Sequence, residues 1–221
     1  MRVVAFDIGE TLIRDDRGWA SWADWLEVPR HTLSGLVGAV VAQGRDNADA
    51  LRLARPGLDV AAAHRQRAAE GWVEQLDESD LYPDVREAFT SLRAAGLRVI
   101  VAGNQTARAG ELLRAMALPA DAVATSGDWG VAKPHPDFFA RLVDLAVAAP
   151  EEVVYVGDHP QNDIGPAARA GLATAHVRRG PYGLLWADSP EARAADWQVS
   201  SLTELVELLS DQEHRRGGAQ R

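Results

Sequence analysis

The stretch VVAFDIGETLI, residues 3–13, predicts a buried strand that ends in a carboxylate. The apolar run Val3–Phe6 is typical of a strand buried on both faces of a parallel sheet. The run ends at Asp7, and a tight polar turn follows. Because ligands of open α/β sheets lie outside the carboxyl ends of the strands, Asp7 is a candidate catalytic residue. Gly9 stands two residues later, where a second carboxylate would be most useful.

Strand and helix patterns alternate along the rest of the chain. Further strands are predicted at Leu97–Ala102, Ala122–Thr125, Val153–Val156, Ala173–Val177 and Trp197–Val199. Helices are predicted at Arg86–Ala95, Ala107–Ala117, Pro136–Ala148, Ile164–Ala170 and Ser201–Leu209. This alternation is typical of an α/β fold with a doubly wound, mainly parallel, Rossmann-like sheet.

One segment interrupts the alternation. Residues 15–81 have no strand pattern and are rich in Ala, Arg, Leu and Trp, so we expect an all-helical cap inserted after the first strand. The predicted core then comprises residues 1–14 and 82–210. The polar tail, residues 211–221, is expected to be disordered.

Composition excludes several classes of protein. The 221 residues contain no cysteine, which rules out disulfides and thiolate metal sites. The formal net charge of −9 argues against nonspecific binding to nucleic acid or to anionic lipid. No apolar run reaches the ~18 residues that a membrane span needs, and no signal peptide is recognisable. We therefore expect a cytoplasmic protein with no nucleic-acid or membrane partner.

Charged and small residues follow four of the predicted strands. Because the carboxyl ends of parallel strands meet at one edge of a sheet, we expect these residues to converge. They are Asp7 after the first strand, Gly103 and Asn104 after the second, Lys133 after the third, and Asp158 and Asp163 after the fourth.

These residue types suit magnesium-assisted phosphoryl transfer. Mg²⁺ usually takes one or two carboxylates, which Asp7 and Asp158 can supply, and the backbone carbonyl of Gly9 can add a third ligand. Asp7 can attack phosphorus and form an aspartyl phosphate. Lys133 can neutralise charge on the phosphoryl oxygens, and backbone N–H groups of the Gly103–Asn104 turn can hold the phosphate.

Four stretches resemble, in order, the four motifs of the haloacid dehalogenase-like hydrolase superfamily. They are FDIGETL, VIVAGNQ, GVAKPHPDFF and VYVGDHPQNDIGPAARAGL. The resemblance covers the predicted core and implies a phosphatase-type hydrolase with a helical cap, acting on a small phosphorylated metabolite with Mg²⁺. It implies Asp7 as nucleophile, with Asp7, the Gly9 carbonyl and Asp158 as metal contacts. It further implies Lys133 as the charge-neutralising lysine and Asp163 as an acid just outside the metal contacts.

Two positions depart from the common phosphatase pattern. Gly9 replaces the aspartate that protonates the leaving group and later activates water. Gly103 replaces the hydroxyl residue that contacts the phosphate, and Thr106 is a weak candidate substitute. General acid–base catalysis contributes typically ~10²–10⁴-fold, so we expect slow turnover, a preference for activated phosphates, or an acid from elsewhere in the chain.

Three nearby residues are candidates for that acid. Glu10 is adjacent to Gly9, but alternation points its side chain in another direction. His159 follows Asp158, and His135 follows Lys133 by two residues; histidines in polar loops are more often solvated bystanders.

Two alternative functions remain open at this point. The same departures fit a catalytically weak protein that binds a phosphorylated ligand or a partner. A dehalogenase of the same superfamily also lacks the second aspartate, but it needs no metal, whereas the GDHPQND loop keeps carboxylates suited to one.

Other conspicuous residues have simpler explanations. Trp19, Trp22 and Trp25 recur every three residues, which favours helix packing over a substrate pocket. Arg178 and Arg179 follow the fifth predicted strand, where salt bridges or solvation are more common than binding of a substrate anion.

Overall fold

Six parallel strands form a single sheet in the computed structural model, which describes residues 1–218. The strand order is β3-β2-β1-β4-β5-β6. The strands are β1 (Val3–Phe6), β2 (Arg98–Gly103), β3 (Ala122–Thr125), β4 (Val153–Gly157), β5 (Ala173–Val177) and β6 (Trp197–Val199). The predicted doubly wound α/β fold is confirmed, and each predicted strand overlaps an observed one.

Helices cover both faces of the sheet. After the first strand come α1 (Asp16–Leu26), α2 (Arg30–Ala42), α3 (Asp49–Ala54) and α4 (Val60–Ala69). Between β2 and β4 the chain forms α6 (Ala107–Ala115), α7 (Ser126–Trp129) and α8 (Pro136–Ala146), with α5 (Val85–Ala94) preceding β2. The last helices are α9 (Gly165–Arg169), α10 (Gly180–Leu185), α11 (Pro190–Arg193) and α12 (Leu202–Gly218). No helix within this range is both long and apolar enough to cross a bilayer.

The central strand β1 explains why its sequence is continuously apolar. It pairs with β2 on one side and β4 on the other, so Phe6 lies beside Val101 and Val156. Alternate side chains face opposite layers, because Val4 and Phe6 pack with α5 and α12, whereas Val3 and Ala5 pack with α8. Both faces are therefore buried, which favours an unbroken hydrophobic run.

Helices α1–α4 form a helical insertion between β1 and β2, with a hydrophobic cluster of their own. Trp22 is buried in this cluster, edge-on to Trp25 at a ring-centroid distance of 5.7 Å. The indole N–H of Trp25 donates to Glu70. Trp19 packs against the same cluster, so all three tryptophans pack the insertion itself, as their helical spacing predicts.

Helix α10 ties the helical insertion to the sheet. The Tyr182 hydroxyl accepts a hydrogen bond from the Asn47 backbone N–H and donates to the Arg45 carbonyl, at 3.0 and 3.1 Å. Trp186, just after α10, donates its indole N–H to the Val41 carbonyl at 2.8 Å. These bonds to backbone atoms fix the insertion relative to the end of β5.

The closing helix departs from expectation at its C-terminal end. The sequence predicts Ser201–Leu209 followed by a disordered tail from residue 211, but α12 continues to Gly218. The polar residues of that stretch include Glu, Gln and Arg, which have good helix propensity, so polarity did not end the helix. The rest of the predicted tail, residues 219–221, lies outside the described residues.

The two arginines after β5 have different environments. Arg178 is exposed. Arg179 is buried and forms a salt bridge with Asp84, donates to the Thr11 carbonyl at 2.8 Å, and covers the Tyr82 ring. Arg179 therefore has a structural role. Its salt bridge with Asp84 is buried and does not lie on the surface.

Removing Asp84 should leave that buried guanidinium without its carboxylate. Breaking one side of a buried ion pair typically costs 3–5 kcal/mol, so we expect Asp84→Ala to lower the free energy of unfolding by about 3–5 kcal/mol in urea denaturation. Asp188→Ala, which removes an exposed pair with Arg193, should change it by about 0–1 kcal/mol. Equal losses in the two variants would contradict this assignment.

Candidate active site

Asp7, the first predicted catalytic residue, lies at the carboxyl edge of the sheet. Asp7 continues the β1–β4 ladder by one residue, because its N–H donates to the Val156 carbonyl at 2.8 Å. Its carboxylate therefore lies at the carboxyl edge of the sheet, with Oδ1 against Gly103 at the end of β2. Asp7 is 7% exposed, so the site is largely screened from solvent.

A reciprocal pair of hydrogen bonds brings Lys133 to Asp7. The Asn104 side chain donates to the Lys133 carbonyl at 2.9 Å and accepts from the Lys133 backbone N–H at 2.8 Å. The predicted phosphate-binding residue Asn104 thus uses its side-chain amide to hold the lysine loop. The backbone N–H of Asn104, which is the group predicted to contact the phosphate, takes no part in this pair of bonds.

Lys133 lies between two carboxylates. Its Nζ is 2.5 Å from Asp7 Oδ1 and 2.5 Å from Asp163 Oδ1. The other oxygen of Asp163 accepts from the His159 backbone N–H at 2.9 Å. Burial lowers the pKa of Lys133, but the charges of Asp163 and Asp7 outweigh it and leave this pKa well above its ordinary value. The lysine is therefore charged at neutral pH.

The predicted acids converge into one buried cluster. Carboxylate oxygens of Asp7, Asp158 and Asp163 all lie within 4.8 Å of one another. Burial, followed by the charge of Asp163, raises the pKa of Asp7 to about 6 and raises that of Asp158 well above its usual range. Three carboxylates against one ammonium leave an excess of two negative charges when all are ionised. This donor set fits a divalent cation with oxygen ligands, such as Mg²⁺.

Gly103 and Gly157 give these carboxylates room. A Cβ on Gly103 would lie within 2.3 Å of Asp7 Oδ1, and a Cβ on Gly157 within 2.3 Å of Asp163 Oδ2. No serine or threonine can therefore occupy position 103 while Asp7 keeps this position. Thr106 does not replace the hydroxyl, because it caps α6 by accepting from the Ala109 N–H and bonds to Glu74.

Sequence reasoning missed Asp15, which lies beside Gly9. A Cβ on Gly9 would be 3.3 Å from Asp15 Oδ2, its nearest neighbour. The turn after Asp7 reverses the chain, with Ile13 N–H donating to the Ile8 carbonyl at 3.0 Å, and this turn brings residue 15 back. Burial, then the charges of Glu10 and Asp7, raises the pKa of Asp15 to about 8. The only sequence signal was an acidic pair, Asp15–Asp16, at the start of the insertion.

Glu10 has other partners. Its carboxylate accepts from the Tyr82 hydroxyl at 2.7 Å and from the Asp15 backbone N–H at 3.2 Å. Its backbone has φ 51°, in the left-handed region that favours glycine. Glu10 therefore anchors the turn and the beginning of α1.

The two candidate histidines differ in position. His159 lines the pocket, and its ring stacks on Tyr182 at 3.8 Å between centroids. Its Nδ1 accepts from backbone N–H groups, and burial, followed by the charge of Lys133, lowers its pKa to about 4. His135 is exposed and caps α8, so it is a bystander.

A pocket lies between the helical insertion and these residues. The insertion contributes Trp19, Val37, Val41, Asp46 and Asn47 to its walls. Trp19 is thus the one member of the tryptophan stripe that faces this pocket. Lys133 is the one cation among the described lining residues, against six acids: Asp7, Glu10, Asp15, Asp46, Asp158 and Asp163.

Several known proteins are similar to this chain. It is 33% identical over 133 residues to a glyceraldehyde 3-phosphate phosphatase of Methanocaldococcus jannaschii, covering 59% of this chain and 57% of the relative. It is 31% identical over 160 residues to a phosphoserine phosphatase of Thermus thermophilus, covering 70% and 62%. The chain therefore spans little more than half the length of these curated relatives.

Solved structures support the fold. The 2-haloacid dehalogenase of Pseudomonas syringae matches with a TM-score of 0.60 at 24% identity, covering 96% of this chain and 99% of that one. A phosphatase of Thermococcus onnurineus matches with a TM-score of 0.58 at 20% identity, covering 95% and 98%. A dehalogenase and a phosphatase thus share this fold, so the fold alone does not select the reaction.

The family is decided by sequence. The family model described as haloacid dehalogenase-like hydrolase matches residues 1–171, which is more than half of the chain and contains the first three motifs in full and all but the last residue of the fourth. The predicted acids and lysine converge at the edge of the sheet, in agreement with that match. The chain belongs to the haloacid dehalogenase-like hydrolase family.

Proposed function

We propose that this protein is a Mg²⁺-dependent phosphatase that hydrolyses a small phosphorylated metabolite through an aspartyl phosphate on Asp7. The contact between Asp7 Oδ1 and Lys133 Nζ, inside a buried cluster of three carboxylates, carries this proposal. A carboxylate that is fixed beside one cation can act as a nucleophile toward phosphorus. Relatives that are named as phosphatases support the same reaction class.

Each residue of the cluster has a distinct proposed role. Asp7 attacks phosphorus, and Lys133 neutralises charge on the phosphoryl oxygens as they approach the anionic nucleophile. Backbone N–H groups of Gly103 and Asn104 hold the phosphate, while the Asn104 side chain keeps Lys133 in position. We assign Asp163, which bonds to Lys133 and to the His159 backbone N–H, a supporting role outside the metal contacts.

The metal would be held by the carboxylates of Asp7 and Asp158 with the carbonyl of Gly9. When bound, Mg²⁺ supplies charge stabilisation for the phosphate oxygens at a site that otherwise carries an excess of negative charge. Without it, a dianionic phosphate would meet six acids and one lysine.

The helical insertion is proposed to act as a cap. The pocket lies between the insertion and the carboxyl edge of the sheet, so the insertion restricts water access and contributes to substrate selection. On this proposal residues 15–81 are the cap, and residues 1–14 and 82–210 are the catalytic core.

Loss of the nucleophile should abolish phosphate release. With p-nitrophenyl phosphate and acetyl phosphate in Mg²⁺ buffer, we expect Asp7→Asn to reduce kcat by more than about 10⁴-fold, because no other carboxylate can form the covalent intermediate. The exposed Asp16→Asn serves as the matched control and should keep activity. No release by the folded wild-type protein would favour a ligand-binding protein, and metal-independent halide release from a 2-haloacid would favour a dehalogenase.

Metal binding should also be visible without any substrate. At free Mg²⁺ 100-fold above its Kd, the free energy of unfolding should rise by about 2.7 kcal/mol, because the metal binds only the folded cluster. Asp158→Asn should lose most of this gain, and EDTA should reverse it in the wild type. A gain of the same size in Asp158→Asn, measured by urea denaturation, would contradict the proposed ligand set.

The acidic pocket should disfavour phosphorylated substrates that carry an additional negative charge. Glyceraldehyde 3-phosphate and 3-phosphoglycerate form a matched pair that differs in an aldehyde against a carboxylate. We expect kcat/KM to be at least ~10-fold lower for the carboxylate, because Asp46 and its neighbours repel it. Asp46→Asn should reduce the difference in kcat/KM between the two substrates. Equal kcat/KM values for the two substrates in the wild type would contradict this role of the acidic residues.

A further inference from the structure

The position of the missing acid is next to another carboxyl group. In the family pattern, a side chain at residue 9 would protonate the leaving group, but here residue 9 is glycine. The Asp15 carboxylate is the nearest group to the place where that side chain would begin, with Oδ2 at 3.3 Å and Oδ1 at 3.5 Å from a Cβ on Gly9. Asp15 also lines the same pocket as Asp7 and Lys133.

The backbone of Asp15 is held, while its side chain is not used locally. Its N–H donates to Glu10 Oε1 at 3.2 Å, and its carbonyl accepts from the Trp19 N–H at 3.0 Å. Asp15 precedes α1 at the N-cap position, where aspartate commonly accepts from the backbone of the first turn, yet this side chain makes no capping hydrogen bond. The carboxyl group therefore faces the pocket instead of the helix.

Other acids near the phosphate site are already engaged. Glu10 accepts from Tyr82 and from Asp15, and Asp163 bonds to Lys133 and to the His159 N–H. His159 is not a carboxylic acid; it accepts backbone hydrogen bonds at Nδ1 and stacks on Tyr182, which orients its ring and leaves Nε2 as the nitrogen that could donate. Asp15 is left as the carboxyl group that can exchange a proton beside Gly9.

We propose that Asp15 is the general acid and base of this site and replaces the side chain that Gly9 lacks. The inference rests on the proposed phosphatase function. In the first step an Asp7 oxygen forms a bond to phosphorus, the bond from phosphorus to the leaving-group oxygen breaks, and the Asp15 carboxyl gives its proton to that oxygen. In the second step the Asp15 carboxylate takes a proton from water as the water oxygen forms a bond to phosphorus and the bond from phosphorus to the Asp7 oxygen breaks, which restores Asp7 and releases inorganic phosphate.

This placement explains how Gly9 is tolerated. A side chain at residue 9 would make a tight contact with the present Asp15 carboxyl, since a new Cβ would sit 3.3 Å from Asp15 Oδ2. The acid has moved from the strand end to the first residue of the helical insertion. The proposed acid therefore approaches the substrate from the helical insertion and not from the sheet.

The sensitivity of the reaction to the leaving group tests the proposal. With glycerol 3-phosphate, whose alkoxide leaves poorly, Asp15→Asn should lower kcat/KM by ~10²–10⁴-fold. With p-nitrophenyl phosphate, which needs little proton donation, kcat/KM should fall less than about 10-fold. One equivalent of p-nitrophenol should then appear as a burst, because the second step lacks its base. Asp16→Asn, on the exposed side of α1, should match the wild type with both substrates.

A rescue variant keeps the test independent of folding defects. Asp15→Ala combined with Gly9→Asp should recover at least about 10-fold of the glycerol 3-phosphate kcat/KM that Asp15→Ala loses, with urea denaturation confirming that each variant folds. An equal fall with both substrates, no fall, or failure of the rescue would overturn the role of Asp15. A leaving-group-selective loss in His159→Gln alone would assign the role to His159.

The phosphatase function and the role of Asp15 can be tested separately. If the wild type releases phosphate and Asp7→Asn does not, the phosphatase function stands whatever Asp15→Asn shows. If the folded wild type releases no phosphate from either ester with Mg²⁺, both the function and the role of Asp15 are overturned.

Discussion

A single buried ammonium group, that of Lys133, holds the edge of the sheet together electrostatically. It lies between Asp7 and Asp163, and without it three carboxylates would share a space within 4.8 Å. Burying unpaired charges is costly, so the position of this lysine relative to its two carboxylates is important for stability. Asn104 clamps its backbone from both sides, and glycines at the ends of β2 and β4 leave room for its two partners. The same arrangement that satisfies the charges also presents Asp7 for chemistry.

Much of this could be predicted from sequence because parallel strands bring distant residues to one edge. The apolar run of β1 predicted burial on both faces, and the strand ends predicted the convergence of Asp7, Lys133 and Asp158. The sheet order follows the same logic, with β1 between β2 and β4. Such predictions depend on periodicity and chain direction, which are encoded locally.

The features that could not be predicted from the sequence depend on the paths of turns and on which hydrogen-bond partners the side chains take. Asp15 reaches Gly9 because the turn after Asp7 reverses the chain, and no local pattern encodes where such a turn ends. The backbone of Asn104 was predicted to contact phosphate, and the packed structure adds that its side-chain amide bonds to the lysine loop. The polar end of α12 was expected to be disordered, although polarity alone does not oppose helix formation.

The bonds between α10 and the helical insertion have a further consequence for how the protein exchanges ligand with solvent. The Tyr182 hydroxyl and the Trp186 indole join this short helix to backbone atoms of the insertion at Arg45, Asn47 and Val41. Each such bond is worth about 1 kcal/mol, so they set a modest threshold for any swing of the insertion. Tyr182 also stacks on His159, next to Asp158. Tyr182 therefore links the helical insertion to the loop that carries Asp158, so breaking its bonds to the insertion would alter the surroundings of that carboxylate.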